Sequence, residues 1–393
     1  MINWPLASSS WDEKEYEVIL ETLKSERLTM GSKTLEMENK FASLNGSKYC
    51  VMVNSGSSAN LLMIASLFYT KNDSIKFEIG DEVIVPTVSW GTTYFPLHQL
   101  GLKTVFVDID INTLNIDPSK IKEKINSRTK AIFCVNLLGN PCNFDLINEI
   151  ANEHKLVILE DNCESLGCVY KGKKGGSLGL MGTHSSFFSH HFSTMEGGYV
   201  TTDDEELYQI LVCLRSHGWT RNLPNENFIT GRKSNNNFDE SFKFVLPGFN
   251  LRPLEISAAC GLSQLDKIEN FINQRRINAK EFKKQFSQFQ DLIIQEETEQ
   301  SSWFGFSIII KEKSRISREK FLNILDKYKV AYRPIVSGNF LENPVLQYFK
   351  YKADSNNQNA ELVHKNGFFL GNHHYDITDK IKLLKNTFEG KIN

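Results

Sequence analysis

Apolar and polar positions divide this chain into short apolar runs separated by amphipathic stretches. Tyr49-Cys50-Val51-Met52-Val53 and residues 81–86, 104–108, 129–135 and 156–162 are near-continuous apolar runs, the pattern of strands covered on both faces. Residues 61–67, 118–126 and 143–154 carry helical spacing between them. Strands alternating with helices at this interval predict an α/β fold, a mainly parallel sheet sandwiched by helices. Helical patterns over residues 12–25 and from Gly31 towards Leu44 precede it. Tyr199-Val200-Thr201-Thr202 reads as a further strand, 208–214 as a helix, and the polar, Asn-rich residues 222–240 as a long loop or flap. An apolar-faced helix over 257–265 and a long helix over about 266–286 follow. Beyond them, 303–310 reads as a strand, Ser317 as the cap of a helix to about Lys327, and 332–336 as a strand or loop. The expected division is a large domain over 1–265, N-terminal helical segment included, and a bridging helix with a smaller α/β domain over 266–393.

Composition narrows the class. The chain has 393 residues, enough for two domains or for one large α/β domain plus a smaller one, and at 40% hydrophobic and 23% charged it has the composition of a soluble globular protein. A net charge of -2 gives no electrostatic reason to expect nucleic acid or anionic membrane as a partner. No apolar stretch approaches the roughly 18 residues of a membrane span, and the opening residues carry no signal-peptide pattern. A cytoplasmic location is therefore expected. The seven cysteines are scattered without a Cys-x-x-Cys pair and read as reduced, mostly buried thiols. His373-His374 has no third ligand at metal spacing, so no metal is expected.

In parallel sheets ligands bind at the carboxyl ends of strands, and the chemistry-bearing residues cluster there. Asn54-Ser55-Gly56-Ser57-Ser58-Ala59-Asn60 joins a strand to a helix start and is either an anion cradle or a plain N-cap. Trp90, past the next strand, is either core or a flat surface for a bound ring. Glu160-Asp161-Asn162 ends a strand in acid. Ser185-Ser186-Phe187-Phe188-Ser189-His190-His191 leads through a polar turn to Glu196-Gly197-Gly198. On an extended chain His191 points away from the face that His190 takes.

The order and spacing of these stretches, with Asn250-x-Arg252, Ala258-Ala259 and Gln264-Leu265, resemble the DegT/StrS sugar enzymes of the fold-type I pyridoxal-phosphate class over nearly the whole chain. The resemblance implies that Asp161 pairs with the pyridine nitrogen of pyridoxal or pyridoxamine 5'-phosphate. It further implies that Gly56, Ser57 and Ser185 hold the phosphate, with Asn250 reaching over from a partner in a homodimer. Trp90 stacks on the ring, Glu164 lies near the ring hydroxyl, and His217 hydrogen-bonds cofactor or sugar, or simply caps a helix. Arg221 and Arg333 are candidates for the substrate's diphosphate or sugar.

One position departs from the aminotransferase pattern. The cofactor-linking lysine falls, by alignment to Glu196-Gly197-Gly198, on His190, and no lysine occurs between Lys174 and Lys233. This points to the lysine-free 3-dehydratases of nucleotide-linked 4-keto-6-deoxyhexoses. One kind of these carries a cysteine-held iron–sulfur cluster; this chain lacks the clustered cysteines, so no cluster is expected. The other kind has no cluster and resembles this chain through Ser189-His190-His191, Thr194-Met195-Glu196-Gly197-Gly198, residues 217–224, Arg333-Pro334-Ile335-Val336 and Pro5-Leu6-Ala7-Ser8-Ser9, and the substrate this resemblance implies is GDP-4-keto-6-deoxy-D-mannose. His190 is the implied base and acid, suited by an imidazole pKa near roughly 6.5, with L-glutamate restoring the pyridoxamine form. A dehydratase or aminotransferase acting on another nucleotide sugar, and a non-catalytic binder of cofactor or nucleotide sugar, are the alternatives.

Overall fold

The computed structural model describes residues 1–392. Its predicted runs form β1 (Tyr49–Val53), β2 (Glu82–Pro86), β3 (Lys103–Val107), β4 (Thr129–Val135), β5 (Val157–Asp161) and β7 (Gly198–Thr202), and the polar Met-Gly-Thr-His-Ser, which the pattern does not predict, forms β6 (Met181–Ser185). Later come β8 (Leu292–Ile294), β9 (Gly305–Ile310), β10 (Tyr332–Arg333), β11 (Tyr351–Lys352) and β12 (Gly367–Gly371). The large sheet has eight strands in the order β1-β7-β6-β5-β4-β2-β3-β11. Its ladders are parallel except at β7, which runs antiparallel to both β1 and β6. The expected α/β sandwich is thus present, with one reversed strand that a continuous apolar run cannot distinguish from a parallel one.

Helices α1 (Glu13–Lys24), α2 (Ser32–Asn45), α3 (Gly56–Ser66), α4 (Gly91–Gln99), α5 (Phe144–His154) and α6 (Glu205–Arg215) precede α7 (Glu255–Leu265) and the long α8 (Ile268–Phe286). One face of the large sheet packs Val51, Val85, Phe106, Phe133 and Leu159 against Leu62, Met63 and Leu97; the other packs Ile84, Ile132 and Ile158 against Ile147 and Ile150. A second sheet, β8-β9-β12-β10, has its own core around Phe282, Phe306 and Phe368. We propose 265/266 as the boundary between the two units, with two exchanges across it. Ile2 and Trp4 pack in the core of the smaller unit, while Phe340, Leu346 and strand β11 pack on the large sheet.

Two local expectations are corrected. Residues 118–126 do not form an α-helix. Pro118–Lys120 and Lys122–Lys124 are separate 3-10 turns, the first capped by Asp117, and Ile125 is extended. The backbone closes i→i+3 bonds instead, Ile121 N to Pro118 O, Lys124 N to Ile121 O and Ile125 N to Lys122 O, the tighter winding of short 3-10 turns. Residues 222–240 are not plain loop: Glu226–Asn227 pairs with Gly231–Arg232, and Asn237–Glu240 is a short helix whose Glu240 carboxylate accepts from Ser234 N, Thr220 Oγ1 and Lys243 Nζ.

Alternation along β5 sends two neighbouring carboxylates to opposite faces. Glu160 is fully buried and accepts the N–H groups of Gly176 (2.7 Å), Leu178 (2.6 Å) and Gly179 (2.8 Å), tying down the loop before β6. Its neighbour Asp161 faces the other way, towards α3 and α4. On β6, His184 is fully buried with its ring nitrogens 3.3 Å from Asn162 Nδ2 and 3.3 Å from Thr201 Oγ1, and burial pushes its pKa down to about 3. The unfolded chain, with a histidine pKa of roughly 6.5, takes up this proton first, so stability falls as pH drops below that value. Between pH 7 and 5 the wild type is expected to lose roughly 2 kcal/mol more than His184→Gln. Chemical denaturation of both chains at the two pH values checks this; equal losses would contradict a neutral, buried imidazole.

Candidate active site

The anion-binding expectation for residues 54–60 rests on how α3 starts. Ser55 is its N-cap, its Oγ accepting the Ser58 N–H, so the first-turn N–H groups of Gly56 and Ser57 lack intrahelical acceptors and face outward. Ser185, at the end of β6, lies against this turn: a Cβ on Gly56 would stand 2.7 Å from Ser185 Cβ and 3.0 Å from Cys163 Sγ. Only glycine lets the helix start approach that closely. Gly198 repeats the device, since a Cβ there would meet Ser55 O at 2.2 Å. Gly56→Val is expected to destabilise the chain by about 1–3 kcal/mol through overpacking and to weaken pyridoxal-phosphate binding. Denaturation and a cofactor titration check this, and unchanged values in both would rule out the need for close approach.

Beside the turn, Ser57 Oγ donates to Thr92 Oγ1 at 2.9 Å, joining α3 to the first turn of α4. Trp90 precedes that turn, 60% exposed and with no side-chain hydrogen bond to the helix, so its indole face is open. Asp161 is held beneath. Its Oδ2 accepts from Asn60 Nδ2 (2.8 Å) and Thr93 Oγ1 (2.7 Å), and its Oδ1 from Cys163 N (3.2 Å). Thr183 Oγ1 donates to Asn60 Oδ1 at 2.6 Å, fixing which end of that amide faces the carboxylate. Ser89 lies 2.8 Å from Thr93, orienting the hydroxyl whose proton goes to Asp161. Among the described residues no lysine or arginine pairs with Asp161, although it is only 6% exposed. Buried carboxylates normally have a cation, so this one is arranged for a positive group from outside the chain. Glu164, half-buried, accepts the Leu138 N–H at 3.3 Å; burial, with a smaller contribution from Asp161, pushes its pKa up to about 7.

The loop between β6 and β7 carries His190 and His191. Thr194 N donates to Ser186 O (2.9 Å) and Ser186 N to Gly197 O (3.0 Å); Trp11 Nε1 donates to Ser193 O (3.0 Å), pinning the loop from the N-terminal segment. Residues 187–190 close a turn, His190 N donating to Phe187 O at 2.9 Å, so the alternation expected of an extended chain does not apply, and both imidazoles pack on Phe304, His190 at 5.2 Å and His191 at 5.9 Å. His191 is buried, and its Nε2 donates to Ser302 O at 3.1 Å. His190 is half-buried between Phe187 and Phe304, whose rings stand edge-on at 5.9 and 5.2 Å. No hydrogen-bond partner for either His190 ring nitrogen occurs among the described residues, and Nδ1 is buried. Burial, with Arg275 adding a smaller repulsion, lowers its pKa to about 3, so the value near 6.5 expected from the residue type is corrected downwards and the ring of the cofactor-free chain is neutral. Phe304 N donates to Leu138 O (3.0 Å), so Glu164 and His190 share the 138 turn as a support.

The structure brings Gly56, Ser57, Trp90, Asp161, Glu164 and Ser185 together and links His190 to them through Phe304 and Leu138. His217, Arg221 and Asn250 form a second group. His217 has φ +60° and stands edge-on to Trp219, Arg221 lies 4.4 Å over the same indole, and Ser216 bridges to Asn250. The exposed Asn250 side chain accepts from Arg252 Nε at 3.0 Å and touches none of the phosphate-turn residues, although Asn54 N donates to the neighbouring Leu251 O at 3.0 Å. Arg333 stands apart on β10, exposed, with Nη1 donating to Tyr332 O. Sequence reasoning did not single out Thr93, Thr92, Phe304 or Arg275, and it quoted Asn60 without a role. Asn60 and Arg275 left a signal, each a polar residue at a core-facing position of an apolar helical stripe. Among the described residues no group of three His, Cys, Asp or Glu could hold a metal ion, and all seven cysteines are free thiols.

Comparison with known proteins agrees with this geometry. The chain is 57% identical over 387 residues to the GDP-4-keto-6-deoxy-D-mannose 3-dehydratase of Yersinia pseudotuberculosis, covering 98% of each chain. The Escherichia coli GDP-4-keto-6-deoxy-D-mannose-3-dehydratase, solved with bound hydrated PLP, superposes with a TM-score of 0.96 at 55% identity, covering 98% of this chain and 99% of that one. A GDP-4-keto-6-deoxymannose-3-dehydratase structure holding a trapped PLP-glutamate geminal diamine matches with a TM-score of 0.96 at 54% identity, over 98% and 100% of the two chains. The model of the DegT/DnrJ/EryC1/StrS aminotransferase family matches residues 9–382, and the chain belongs to that family.

Proposed function

We propose that this chain is a PLP-dependent 3-dehydratase that removes the C3 hydroxyl of GDP-4-keto-6-deoxy-D-mannose, with L-glutamate restoring the pyridoxamine form and ammonia released. The observation that carries the reading is the His190 imidazole: neutral, without a hydrogen-bond partner, and standing where this family's aminotransferases place a lysine. The residues fit the cofactor on two counts. The cation-free buried carboxylate of Asp161 suits a protonated pyridine nitrogen, and the Gly56–Ser57 turn with Ser185 offers N–H and hydroxyl donors to a phosphate. Trp90 is the surface for the ring, and Glu164, half-protonated near pH 7, suits a group at its hydroxyl. Once bound, the cofactor supplies an amine for the C4 ketone and a conjugated ring that accepts electrons.

The chain's own part is proton handling. His190 takes a proton at a ring nitrogen and delivers it to the departing C3 hydroxyl, a double duty that an imidazole performs without a second residue. His191 is tied to the backbone by its Nε2, which donates to Ser302 O, and this favours His190, whose ring nitrogens both lack a partner among the described residues. Arg221 and Arg333 are assigned to the diphosphate or sugar, and His217 to the cofactor or sugar. We further infer a homodimer in which Asn250 reaches the partner's phosphate turn; its exposed side chain, and the exposed Tyr16, Leu20 and Leu23 along one side of α1, support a covered surface. A cytoplasmic location and a place in deoxysugar biosynthesis for lipopolysaccharide O-antigen, colitose in particular, complete the reading. No helix among the described residues is long and apolar enough to cross a membrane.

The test is an absorbance spectrum of the purified chain with pyridoxal phosphate, before and after glutamate and borohydride, followed by mass analysis of the sugar product. A cofactor that glutamate converts to the amine form, that borohydride never fixes to the chain, and a sugar lighter by one oxygen are expected. A cofactor fixed to a lysine peptide, or an aminated sugar, would return the chain to the aminotransferases. Faster turnover of a thymidine-linked sugar would overturn the nucleotide assignment.

A further inference from the structure

Residues 301–304 are held in an unusual way: side chains bind all four of their carbonyls. Arg276 Nε donates to Ser301 O (3.0 Å), His191 Nε2 to Ser302 O (3.1 Å), Asn372 Nδ2 to Trp303 O (2.9 Å) and Arg275 Nη1 to Phe304 O (3.1 Å). Trp303 has φ +49°, a conformation that persists only where the surroundings impose it. Gly139 allows the close approach, since a Cβ there would lie 2.3 Å from Trp303 N. The outcome of this anchoring is the placement of one ring, Phe304, edge-on to His190 at 5.2 Å.

Arg275 is the odd member of the set. It is 4% exposed, its Nη1 also donates to Asn372 O (2.9 Å), and its Nε has no partner. Among the described residues no carboxylate pairs with it. Desolvation makes an isolated buried cation expensive, and a structural role alone would be served by a neutral donor such as the neighbouring Asn278. The titratable groups that face it are His190 and His191 on the β6–β7 loop and His373 and His374 after β12. In a serine-protease triad a carboxylate orients the imidazole and favours its charged form; here the field comes from a cation.

We propose that Arg275 is a positioning residue for His190: its bond to the Phe304 carbonyl fixes the aromatic wall that orients the imidazole, and its unpaired charge adds to the burial that keeps that imidazole neutral between turnovers. The inference rests on His190 being the base. Its test uses the full chain as Arg275→Gln, Arg275→Lys and Phe304→Leu. Two readouts are followed: the pH dependence of His190 modification by diethyl pyrocarbonate, read by peptide mass spectrometry, and kcat and KM for dehydration.

In Arg275→Gln the loss of His190 reactivity on acidification should move towards neutral pH by about one unit, with kcat down on the order of tenfold to a hundredfold and KM for the sugar unchanged. Arg275→Lys, keeping the charge but not the fork, should restore the pH dependence while kcat stays several-fold low. Phe304→Leu should lower kcat with the pH dependence unmoved. A wild-type pH dependence in Arg275→Gln overturns the proposal. If that variant does not fold, wild-type kcat in both Arg275→Lys and Phe304→Leu overturns it. Should His190→Asn keep turnover, the base assignment itself falls; if His190→Asn is inactive and Arg275→Gln is silent, only the present inference does.

Discussion

Replacing His190 by asparagine is expected to abolish dehydration while leaving the cofactor bound. A positioned general acid–base group contributes on the order of 10²- to 10⁴-fold, and His190 is proposed to act twice, so the loss should lie at or beyond the upper end of that range. Cofactor binding should persist, because the cradle groups Gly56, Ser57, Asp161 and Ser185 lie on α3, β5 and β6 and none contacts His190 directly. The ring makes no hydrogen bond that asparagine would break, and what holds it is the edge contact with Phe187 and Phe304. A cofactor titration and steady-state rates on the same preparation check both halves. Near-normal turnover would remove His190 from the chemistry. His190→Lys gives the converse expectation: an amine at this position should capture pyridoxal phosphate covalently, producing a visible absorbance band that borohydride fixes to the peptide. No band would mean that position 190 does not face the cofactor.

Asp161→Asn is the second large effect. The amide keeps the shape and the acceptor oxygen that Asn60 and Thr93 need, sets its NH2 against the Cys163 N–H, and removes the charge that a protonated pyridine nitrogen requires. Loss of one preorganised electrostatic partner in a closed site is expected to slow conversion of the cofactor by glutamate by about 10²- to 10³-fold. The cofactor-free chain should respond differently. Its buried carboxylate has no cation among the described residues, so the desolvation relieved by neutralising it offsets the lost Cys163 N–H bond, and stability should change by less than about 1 kcal/mol. Stopped-flow spectra with glutamate measure the first effect and denaturation of cofactor-free protein the second. A rate within threefold of wild type would exclude Asp161 as the nitrogen's partner. A marked loss of cofactor-free stability would make it a structural cap.

Both variants leave the backbone plan untouched, because the sheet and the site depend on different residues. Glu160 and Asp161 illustrate the separation. One residue apart on β5, they point to opposite faces, the first closing the 176–179 loop with three N–H bonds and the second entering the site. A stabilising and a functional acid therefore look alike in a linear reading, and only the strand's pleat distinguishes them.

What the sequence determined by itself was whatever rests on local pattern. The strands β1 to β5, the hydroxyl-glycine turn at Ser55–Gly56, the strand-end position of Asp161 and the absence of a lysine between 174 and 233 are written in residue order. The opposition expected of His190 and His191 is not among these, because the two lie in a turn rather than on an extended strand. Tertiary structure decided what rests on distant partners. The reversed direction of β7 depends on pairing with β1, some 150 residues earlier. The helix expected over 118–126 yielded to two tight turns that end at the extended Ile125. Asn60, Thr93 and Thr183 became the setting of Asp161 only when α3, α4 and β6 met at one strand end. Phe304 and Arg275 reached His190 from more than 80 residues away, through a segment whose carbonyls four side chains hold. Pattern encodes which face of an element is buried. Only packing encodes which buried polar group meets which, because a hydrogen bond or an aromatic edge needs a partner at a set distance, and sequence separation carries no such distance.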